Sequence, residues 1–428
     1  MNVLLVGSGG REHALAWKLA GSSLLTSLHI APGNAGMAEL GTCAADLDPA
    51  DHAAVERYVR RFAIGLVLIG PEGPLVDGLA DHLRAMEKGA PLVIGPGASG
   101  ARLEGSKEFA KSFMERHRIP TARYGAFGTG EADAACAFLE GFQPPYVLKA
   151  DGLAAGKGVL ICTDRAEAEE EIRAMLEGDK FGAAGRRMVI EEFLDGIEMS
   201  AFCLTDGNAF RLLPSAKDYK RIGDGDSGPN TGGMGAVSPV PFAGPDFDDK
   251  VLNRVIIPTV KGLAKEGIPY CGFLFFGLMK VGNEPYVIEY NCRLGDPETE
   301  VILPRLRSDL LDVCIAAASG LLSEVDIDID PRAAATVVLA SEGYPATPVT
   351  GREVTGLEAA EDLDRSYVFH AGTRLHRGRV VTSGGRVFAC TGWGNTLPDA
   401  LTAAYSAAHT VTFEGKYCRS DIGRDVVG

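Results

Sequence analysis

The sequence predicts a multidomain protein of mixed α/β and α+β class, with an N-terminal parallel α/β domain and a small C-terminal α/β domain. The chain of 428 residues is long enough for roughly two to four domains of ordinary size. Short apolar strands alternate with helical patterns over residues 1–103, which is typical of βαβ units and a parallel sheet. Longer strands follow one another from about residue 188, which is typical of an antiparallel sheet.

The first predicted domain spans residues 1–103. Its strands are short apolar runs: Asn2–Val6, Ser27–Ile30, Leu66–Ile69 and Leu92–Ile94. Its helices carry apolar residues at helical spacing between those runs: Arg11–Ala20, Asp51–Phe62 and Val76–Glu87. A parallel sheet of this kind is covered by helices on both faces, and its ligands bind at the carboxyl ends of the strands.

The second predicted domain spans residues 104–327, and the third spans residues 328–428. Ser106 is placed to cap a helix over Ser106–His117. Residues 121–190 are predicted to form a compact module of strands and helices, whose clearest helix is AEAEEEIRAML. The strands that follow are MVIEEFL, MSAFCLTDG, GFLFFGLMKV and PYVIEYNCRL. The third domain has two apolar strands, AATVVLAS and RVFACTGWG, and an alanine-rich helix near the end.

The composition is that of an ordinary globular protein. The net charge of −15 disfavours a general nucleic-acid-binding surface, which needs a basic face. The nine cysteines form no CxxC pair, so buried thiols in a reducing compartment fit better than disulfides or a zinc site. The chain starts directly in a strand, without a basic leader or a long apolar segment. We therefore expect a cytoplasmic protein without a nucleic-acid or membrane partner, as a monomer or a weak homodimer.

A glycine-rich loop joins two predicted strands in VLKADGLAAGKGV, Val147–Val159. The first of these strands ends at Lys149. A Walker A loop needs Gly, four residues and then Gly-Lys-Ser/Thr, but Asp151 stands at its first position and Gly158 follows Lys157. The stretch is therefore either a flap that closes over phosphates or an ordinary hairpin with a solvated lysine.

A second glycine loop, VGSGGREHA, follows the first strand and opens the first helix, which is the context of a phosphate-binding turn. Gly9 and Gly10 allow close backbone approach, and Arg11 supplies a fork of donors for a monophosphate. Glu12 stands where a dinucleotide fingerprint needs Gly or Ala, so it should crowd the helix against the strand. A tight turn without a ligand is the alternative. At the same sheet edge, Glu72 either accepts hydrogen bonds from sugar hydroxyls or caps the following helix.

An acidic strand end carries the third candidate site. Glu289, Asn291 and Arg293 stand at i, i+2 and i+4 in VIEYNCRLGDPE, so a strand would place them on one face. Oxygen donors beside a guanidinium suit a divalent cation next to an anionic substrate. The alternative is a solvated face with a Glu–Arg pair. The apolar neighbours Val287 and Ile288 indicate a buried strand, where an unpaired carboxylate is costly, and this favours a metal site.

Together the motifs resemble a known family. The lysine-bearing flap, the EEFL strand and the Glu-x-Asn strand resemble the ATP-grasp ligases. More narrowly, ordered motifs resemble the phosphoribosylamine–glycine ligase (glycinamide ribonucleotide synthetase) family: GSGGREHA, APGNAG, IGPEGPLVDGL, GSKEFAK, LKADGLAAGKGV, GPNTGGMGA and RLGDPETE. The resemblance covers residues 1–301 and continues more thinly through VVLASEGYP and VFHAGT. It implies an ATP-grasp core whose mobile lid is the module at about residues 121–190.

The resemblance implies roles for the matching residues. The residues that would contact ATP are Lys107, Lys149, Asp151, Gly152, Gly156, Lys157, Gly158, Glu191, Glu192, Phe193, Leu194 and Glu198. The residues that would hold phosphoribosylamine or glycine are Gly9, Gly10, Arg11, Glu72, Asp218, Arg293 and Asp296. Arg293 and Asp218 would be catalytic, because they would position glycine. Glu289 and Asn291 would hold Mg²⁺ or Mn²⁺.

The reaction that the resemblance implies joins glycine to 5-phosphoribosylamine through a glycyl phosphate, with ATP as phosphoryl donor. Three positions depart from the family pattern. Gly277 stands where many ATP-grasp enzymes have a further metal carboxylate, which leaves the ligands of a second metal open. Ile197 replaces an acid of the usual GEE, and Tyr219 stands where histidine is expected.

Three other functions compete with this interpretation. Another ATP-grasp ligase of purine synthesis, such as a carboxyaminoimidazole ribonucleotide synthetase, would not need glycine, and the GSGGREHA and APGN motifs disfavour it. A nucleotide-binding sensor would bind ATP without forming product. A dinucleotide oxidoreductase would bind a nicotinamide nucleotide, and Glu12 disfavours it.

Overall fold

Five parallel strands form the N-terminal sheet in the computed structural model, which describes residues 1–153, 158–178 and 185–427. The strands are β1 (Asn2–Gly7), β2 (Ser27–Pro32), β3 (Thr42–Cys43), β4 (Leu66–Ile69) and β5 (Leu92–Ile94). The helices of this region are α1 (Gly10–Ala20), α2 (His52–Arg61), α3 (Glu72–Val76), α4 (Leu79–Arg84) and α5 (Ala98–Gly105). The strand order is β3-β2-β1-β4-β5. Alternate residues of β1 pack in two different apolar clusters, so both faces are covered, as predicted.

The helix predicted over Val76–Glu87 is wrong as a single element. In the structure α3 ends at Val76 and α4 begins at Leu79. Gly78 lies between them with a φ of +84°, a left-handed conformation that interrupts a helix and that glycine adopts at little cost. The apolar spacing has a separate cause, because Leu79 and Leu83 are fully buried in the core.

A four-stranded antiparallel sheet forms the predicted module, which we call the lid. It follows α6 (Lys107–Arg116), whose N-cap Ser106 accepts a hydrogen bond from the N–H of Phe109, as predicted. The lid elements are β6 (Tyr124–Gly128), α7 (Ala132–Phe138), β7 (Tyr146–Ala150), β8 (Val159–Cys162), α8 (Arg165–Leu176) and β9 (Arg187–Glu192), with strand order β6-β9-β7-β8. The lid has an apolar cluster of its own.

The strand MVIEEFL was predicted to belong to the long antiparallel series that follows the lid, and this is wrong. It is β9, and it pairs with β6 and β7 inside the lid sheet. Its backbone register sets Val189 opposite Lys149 and Glu191 opposite Val147. The lid therefore includes the strand on which the EEFL motif begins.

An eight-stranded sheet joins the second and third regions of the chain. Its strands from the second region are β10 (Ile197–Thr205), β11 (Phe210–Asp218), β14 (Gly235–Ser238), β15 (Gly272–Val281) and β16 (Glu284–Asn291). Between β11 and β14 the chain forms a separate hairpin of β12 (Arg221–Gly223) and β13 (Ser227–Asn230). The C-terminal strands are β17 (Ala333–Ala340), β18 (Ser366–His370), β19 (Thr373–His376), β20 (Arg379–Thr382) and β21 (Arg386–Gly394). The order β16-β15-β10-β11-β14-β17-β21-β18 makes β17, β21 and β18 continuous with the central strands, whereas β19 and β20 form a two-stranded sheet of their own.

The remaining helices belong to the second and third regions of the chain. They are α9 (Pro245–Val251), α10 (Ile257–Lys265), α11 (Thr299–Ile302), α12 (Leu310–Ala318), α13 (Leu357–Glu361) and α14 (Leu397–Thr410). The alanine-rich helix predicted near the end is α14, whose Thr396 and Asp399 form a capping box. Among the helices of the described residues, none combines the length and the apolar character needed to cross a membrane.

Candidate active site

The first turn of α1 and the loop after β16 touch each other at the carboxyl edge of the N-terminal sheet. The N–H of Arg11 donates to Oδ2 of Asp296 over 3.4 Å, and Nη1 of Arg11 donates to the carbonyl of Leu294 over 3.3 Å. Arg11 and Asp296 are 285 residues apart in the sequence. The fold thus brings together two sets of residues that the sequence predicts to bind substrate.

Glu12 has a structural part in the N-terminal glycine loop. Its Oε2 accepts a hydrogen bond from the N–H of Gly9 over 2.7 Å, and its Oε1 pairs with Nε of Arg11 over 2.5 Å. The predicted crowding is wrong, because Glu12 lies against Gly7 and Gly70, where a Cβ would come within 2.3 and 2.2 Å of its atoms. The carboxylate therefore fixes the loop and balances part of the Arg11 charge.

Arg293 lies beyond the end of β16, so its predicted position on the strand face of Glu289 and Asn291 is wrong; the strand ends at Asn291. Its guanidinium lies between two carboxylates of the N-terminal region. Nη2 is 2.8 Å from Oε1 of Glu104, and Nε is 3.4 Å from Oε2 of Glu72. Glu72 is itself the first residue of α3, so the alternative that it caps a helix starting at residue 76 is also wrong.

Asp296 is paired with an arginine from the C-terminal part of the chain. Nη2 of Arg386, at the start of β21, is 3.0 Å from Oδ1 of Asp296. Nη1 of Arg386 donates to the carbonyls of Asp296 and Gly232 over 2.7 and 2.6 Å. Burial raises the pKa of Asp296, but Arg386 and Arg11 outweigh burial and hold this pKa below its usual value. The ionised carboxylate therefore links three distant segments.

Glu300 is a buried acid next to this ion pair. It is 0% exposed, and neither carboxyl oxygen has a hydrogen-bond partner in the part of the chain that the structure describes. It lies against the N-terminal glycine loop, since a Cβ on Gly10 would be 2.4 Å from its Oε1. Burial raises the pKa of Glu300 well above its usual value, and the nearby charge of Asp296 adds to the effect while Arg386 opposes it. Burial therefore favours the protonated form of Glu300.

Replacing Glu300 with glutamine is expected to stabilise the protein at pH 8 and much less at pH 4.5. The folded wild type keeps a proton that the unfolded chain loses above its ordinary pKa of 4.5. The free energy of unfolding of the wild type therefore falls by about 1.4 kcal/mol per pH unit from there up to the folded-state pKa. Glutamine has a similar shape but does not titrate, so it adds no pH dependence to the free energy of unfolding. Thermal unfolding at both pH values should give a Tm difference that grows by roughly 1 °C per kcal/mol for a chain of this length.

The control for this prediction is Glu358→Gln, which changes an exposed glutamate on α13. It should leave Tm nearly unchanged at both pH values. A Glu300→Gln effect of the same size at pH 4.5 and pH 8 would contradict the protonated state of Glu300.

Glu289 and Asn291 share one face of β16, opposite Gly277 and Phe275 of β15. A Cβ at Gly277 would lie 2.7 Å from Cγ of Glu289, so the Glu289 side chain fills the space that a further metal carboxylate would need. Among the described residues, no three or more His, Cys, Asp or Glu side chains are grouped as a metal site. One carboxylate and one amide oxygen still fit Mg²⁺ at a nucleotide site, because Mg²⁺ completes its shell there with phosphate oxygens and water.

Lys220 lies in the middle of a group of carboxylates beside this strand. Its Nζ pairs with Oε1 of Glu198 and is 3.8 Å from Oε1 of Glu289. Burial lowers the pKa of Lys220, but Glu198, Asp218 and Glu289 outweigh burial and raise it well above its usual value. Burial raises the pKa of Asp218; Lys220 opposes this shift and Glu298 adds to it. The predicted residues Asp218, Glu198 and Glu289 thus surround one ammonium group.

Asp151 joins the start of the glycine flap to the N-terminus of α6. Its Oδ1 accepts a hydrogen bond from the N–H of Glu108 over 2.7 Å, and the Ser106 hydroxyl lies 3.2 Å from both of its carboxylate oxygens. Nζ of Lys107 donates to the carbonyl of Gly152 over 3.1 Å. The flap therefore begins next to Lys107, the first of the two lysines predicted to contact phosphates.

The other predicted residues of the flap are Gly156, Lys157 and Gly158. The carbonyl of Gly158 accepts a hydrogen bond from the N–H of Ala150 over 2.8 Å, next to the antiparallel pairing of β7 and β8. Gly156 and Lys157 lie outside the residues that the structure describes.

Burial lowers the pKa of Lys107, although the negative groups around it oppose this shift.

The EEFL motif extends from the inside of the lid to its surface. Glu191 is buried, and its Oε1 is 2.9 Å from Nζ of Lys149. Lys149 also donates to the carbonyl of Ile288 over 3.0 Å. Glu192 is half-buried at the end of β9, and Phe193 beyond it is 40% exposed. The carboxylate of Glu191 is thus engaged by lysine, and backbone groups and Phe193 form the accessible part of the motif.

Several charged residues of the site are absent from the sequence-based prediction. They are Glu104, Lys111, Lys220, Glu298, Glu300 and Arg386. Lys111 had a detectable signal, because it stands four residues after Lys107 on one helix and therefore shares its side of the helix. Arg386 had none, because its partners are distant in sequence. Tyr219, at the position where histidine is expected, donates its hydroxyl to Oδ1 of Asp425 over 2.6 Å and so contacts the C-terminal segment.

Comparisons with known proteins cover the whole of this architecture. The sequence models of the phosphoribosylglycinamide synthetase N domain, ATP-grasp (A) domain and C domain match residues 1–104, 105–299 and 334–425. The phosphoribosylamine–glycine ligase of Vibrio cholerae is 48% identical over 425 residues, which are 99% of this chain and 98% of that protein. The crystal structure of the phosphoribosylamine–glycine ligase of Thermotoga maritima has a TM-score of 0.85 and 38% identity, with 98% of this chain and 100% of that chain covered.

A more distant structure separates the fold from the family. The N5-carboxyaminoimidazole ribonucleotide synthetase of Thermotoga maritima has a TM-score of 0.63 and 16% identity, with 96% of this chain and 99% of that chain covered. At this identity the similarity concerns the fold alone. The matches to the three domain models and the 48% identity over the full length are specific to one family. The chain belongs to the phosphoribosylglycinamide synthetase family.

Proposed function

We infer that this chain is a ligase of purine biosynthesis that joins glycine to 5-phosphoribosylamine, with conversion of ATP to ADP and phosphate. The observation that carries the inference is 48% identity to a phosphoribosylamine–glycine ligase over 99% of the chain. The product is glycinamide ribonucleotide. The site residues, the metal and the order of steps given below are parts of this proposal.

The carboxylate of glycine must be activated, because joining an amine to a carboxylate in water is uphill. It attacks the γ-phosphate of ATP to give glycyl phosphate and ADP. The amine of phosphoribosylamine then attacks the acyl carbon, and phosphate leaves as glycinamide ribonucleotide forms. Phosphoryl transfer of this kind depends on positioning and charge neutralisation. Lys107 and Lys149 supply positive charge to the phosphates, and Asp151 anchors the flap that covers them.

Glu289 and Asn291 would hold a divalent cation, Mg²⁺ or Mn²⁺, at the ATP site. When bound, the cation neutralises phosphate charge. The support is the donor set: one carboxylate and one amide oxygen on a single strand face, beside the two lysines. The space behind Glu289 is filled up to Gly277, which leaves no room there for a second protein carboxylate.

Arg293 binds the carboxylate of glycine, and Asp218 binds its amino group. A guanidinium matches a carboxylate with two parallel hydrogen bonds. Arg293 lies between the strand that bears Glu289 and the N-terminal sheet, so the activated acid faces the bound amine. Asp296 helps to position glycine, and Gly9, Gly10, Arg11 and Glu72 hold the phosphate and sugar of phosphoribosylamine.

Closure of the lid excludes water from the acyl phosphate. An acyl phosphate hydrolyses in water, so an open site would waste ATP. The lid is joined to the rest of the chain next to Pro120, whose carbonyl accepts a hydrogen bond from the N–H of Val287 over 2.8 Å. A lid that closes on ATP accounts for coupling without any nucleophilic side chain.

The test is an omission series. ADP release is measured with Mg²⁺, ATP, glycine and freshly formed phosphoribosylamine, and then with each of them left out in turn. We expect ADP only when all four are present, in an amount equal to the glycinamide ribonucleotide formed.

Two results would contradict the proposal. ADP release without glycine would mean that the ATP-grasp fold acts on another acid. ATP binding without ADP under any combination would indicate a nucleotide sensor.

A further inference from the structure

Three charged side chains are buried together where α6, the lid sheet and β16 meet. Nζ of Lys111 is 2.8 Å from Oε2 of Glu191, and Nζ of Lys149 is 2.9 Å from Oε1 of the same carboxylate. The side chains of Lys111, Glu191 and Lys149 are 2%, 3% and 10% exposed. One carboxylate is therefore shared by two ammonium groups, and Lys111, the most buried of the three, has no role so far.

The cluster carries a net charge of +1. Burial raises the pKa of Glu191, but Lys149 and Lys111 outweigh burial and keep it below its usual value, so the carboxylate is ionised. Burial lowers the pKa of Lys111 to about 8 although Glu191 opposes the shift, so this lysine is charged at neutral pH. Without Lys111 the cluster would be a neutral pair of Glu191 and Lys149.

Both lysines are also anchored to β16, next to Glu289. Nζ of Lys111 donates to the hydroxyl of Thr121 over 2.8 Å, and that hydroxyl donates to the carbonyl of Val287 over 2.6 Å. Nζ of Lys149 donates to the carbonyl of Ile288 over 3.0 Å. Lys111 thus holds one oxygen of Glu191 and Lys149 holds the other, and Lys149 bonds the residue next to Glu289 directly.

We propose that Lys111 is a positioning residue that occupies half of the Glu191 carboxylate and so leaves the charge of Lys149 available to the phosphates of ATP. The inference rests on the proposed function, because it requires that Lys149 contacts phosphate. Lys111 itself touches neither nucleotide nor substrate. It acts by preventing a tight, neutral Glu191–Lys149 pair, which would compete with phosphate for the Lys149 ammonium group.

Lys111→Met tests this role, because methionine keeps much of the length and apolar stem of lysine without its charge. The KM for ATP should rise roughly 10- to 100-fold, the range expected when one charge-assisted contact to phosphate is lost. The KM for glycine should change less than about twofold at saturating ATP. The control is Arg116→Met on the same helix, which removes an exposed cation paired with Glu266 and should change neither value.

A double variant separates positioning from general support of the fold. In Lys111→Met/Glu191→Gln a neutral amide replaces the competing carboxylate, so the ammonium group of Lys149 is again available to phosphate. The affinity for Mg·ATP relative to adenosine, measured by calorimetry, should fall in Lys111→Met and recover at least tenfold in the double variant relative to that single variant. Equal weakening of adenosine and ATP binding in Lys111→Met, or no recovery in the double variant, would overturn the proposal.

A further variant covers the case in which Lys111→Met does not fold. Glu191→Gln alone removes the carboxylate that competes for Lys149 and should raise the affinity for Mg·ATP relative to adenosine. An unchanged or lower ratio would overturn the proposal. Turnover of the wild type separates this inference from the proposed function. If the wild type forms no ADP in the complete mixture, the proposed function fails. If the wild type turns over normally and folded Lys111→Met has an unaltered KM for ATP, only the inference fails.

Discussion

Glu289→Ala is expected to abolish turnover, with kcat reduced roughly 10³-fold or more. Glu289 is the single carboxylate in the proposed cation site, and a Cβ at Gly277, opposite it on β15, would lie 2.7 Å from its Cγ. Its neighbour Asn291 supplies only a neutral oxygen, so the protein part of the site in the variant has no charged ligand for the cation. A metal ion at a phosphoryl group stabilises the transition state by several kcal/mol. Each 1.4 kcal/mol of this stabilisation corresponds to about a factor of ten in rate.

The measurement is ADP release as a function of Mg²⁺ concentration. The matched control is Glu284→Ala on the same strand, because Glu284 is partly exposed and paired with Lys250 and Arg254; it should leave activity within about twofold, as surface ion pairs contribute little. Near-normal activity in folded Glu289→Ala would eliminate the assignment of Glu289 to the cation.

Arg293→Lys is expected to lower kcat/KM for glycine by roughly 10²-fold, mostly through KM. Lysine keeps the positive charge that Glu104 and Glu72 face, so the fold should survive. It loses the planar fork that holds a carboxylate with two parallel hydrogen bonds, and one such charged contact is worth about 1.5–3 kcal/mol. Steady-state kinetics with glycine varied at saturating ATP would measure the change, and the KM for ATP should stay within about threefold.

The comparison variant for Arg293 is Arg307→Lys, which changes an exposed arginine 3.5 Å from Asp330 and should not affect glycine kinetics. A rise in the KM for ATP without any change for glycine would place Arg293 at the nucleotide instead of the amino acid. Thermal unfolding of both variants shows whether the loss of activity is separate from a loss of fold.

The secondary structure of the N-terminal region was largely predictable, because its signals are local. Leu66–Ile69 and Leu92–Ile94 are apolar runs bounded by turn residues, and both are strands with the predicted limits. The Ser106 cap acts through a hydrogen bond three residues along the chain. The prediction of one helix over Val76–Glu87 is wrong because apolar spacing indicates which side chains are buried and does not show whether the helix is continuous. Two short helices can bury the same side chains as one long helix.

Pairing between distant strands was less predictable than the strands themselves. β9 was correctly identified as a strand but belongs to the lid sheet. β17 and β21 have the expected apolar sequences, yet they extend the central sheet through β14 instead of forming a separate one. Apolar composition predicts that a strand is buried, whereas the choice of its neighbour depends on the packing of the whole chain.

By itself the sequence determined the family, the element types and the residues that carry recognisable chemistry, such as Lys149 and Glu289, because these depend on residue type, order and short spacing. Only the tertiary structure decided how the charges are partnered. Asp296 meets Arg386, Glu191 is shared by two lysines, and Glu300 is buried without a hydrogen-bond partner among the described residues. The physical reason is that burial and ion pairing between residues far apart in the chain arise from packing, and they set the charge and orientation of each group where chemistry takes place.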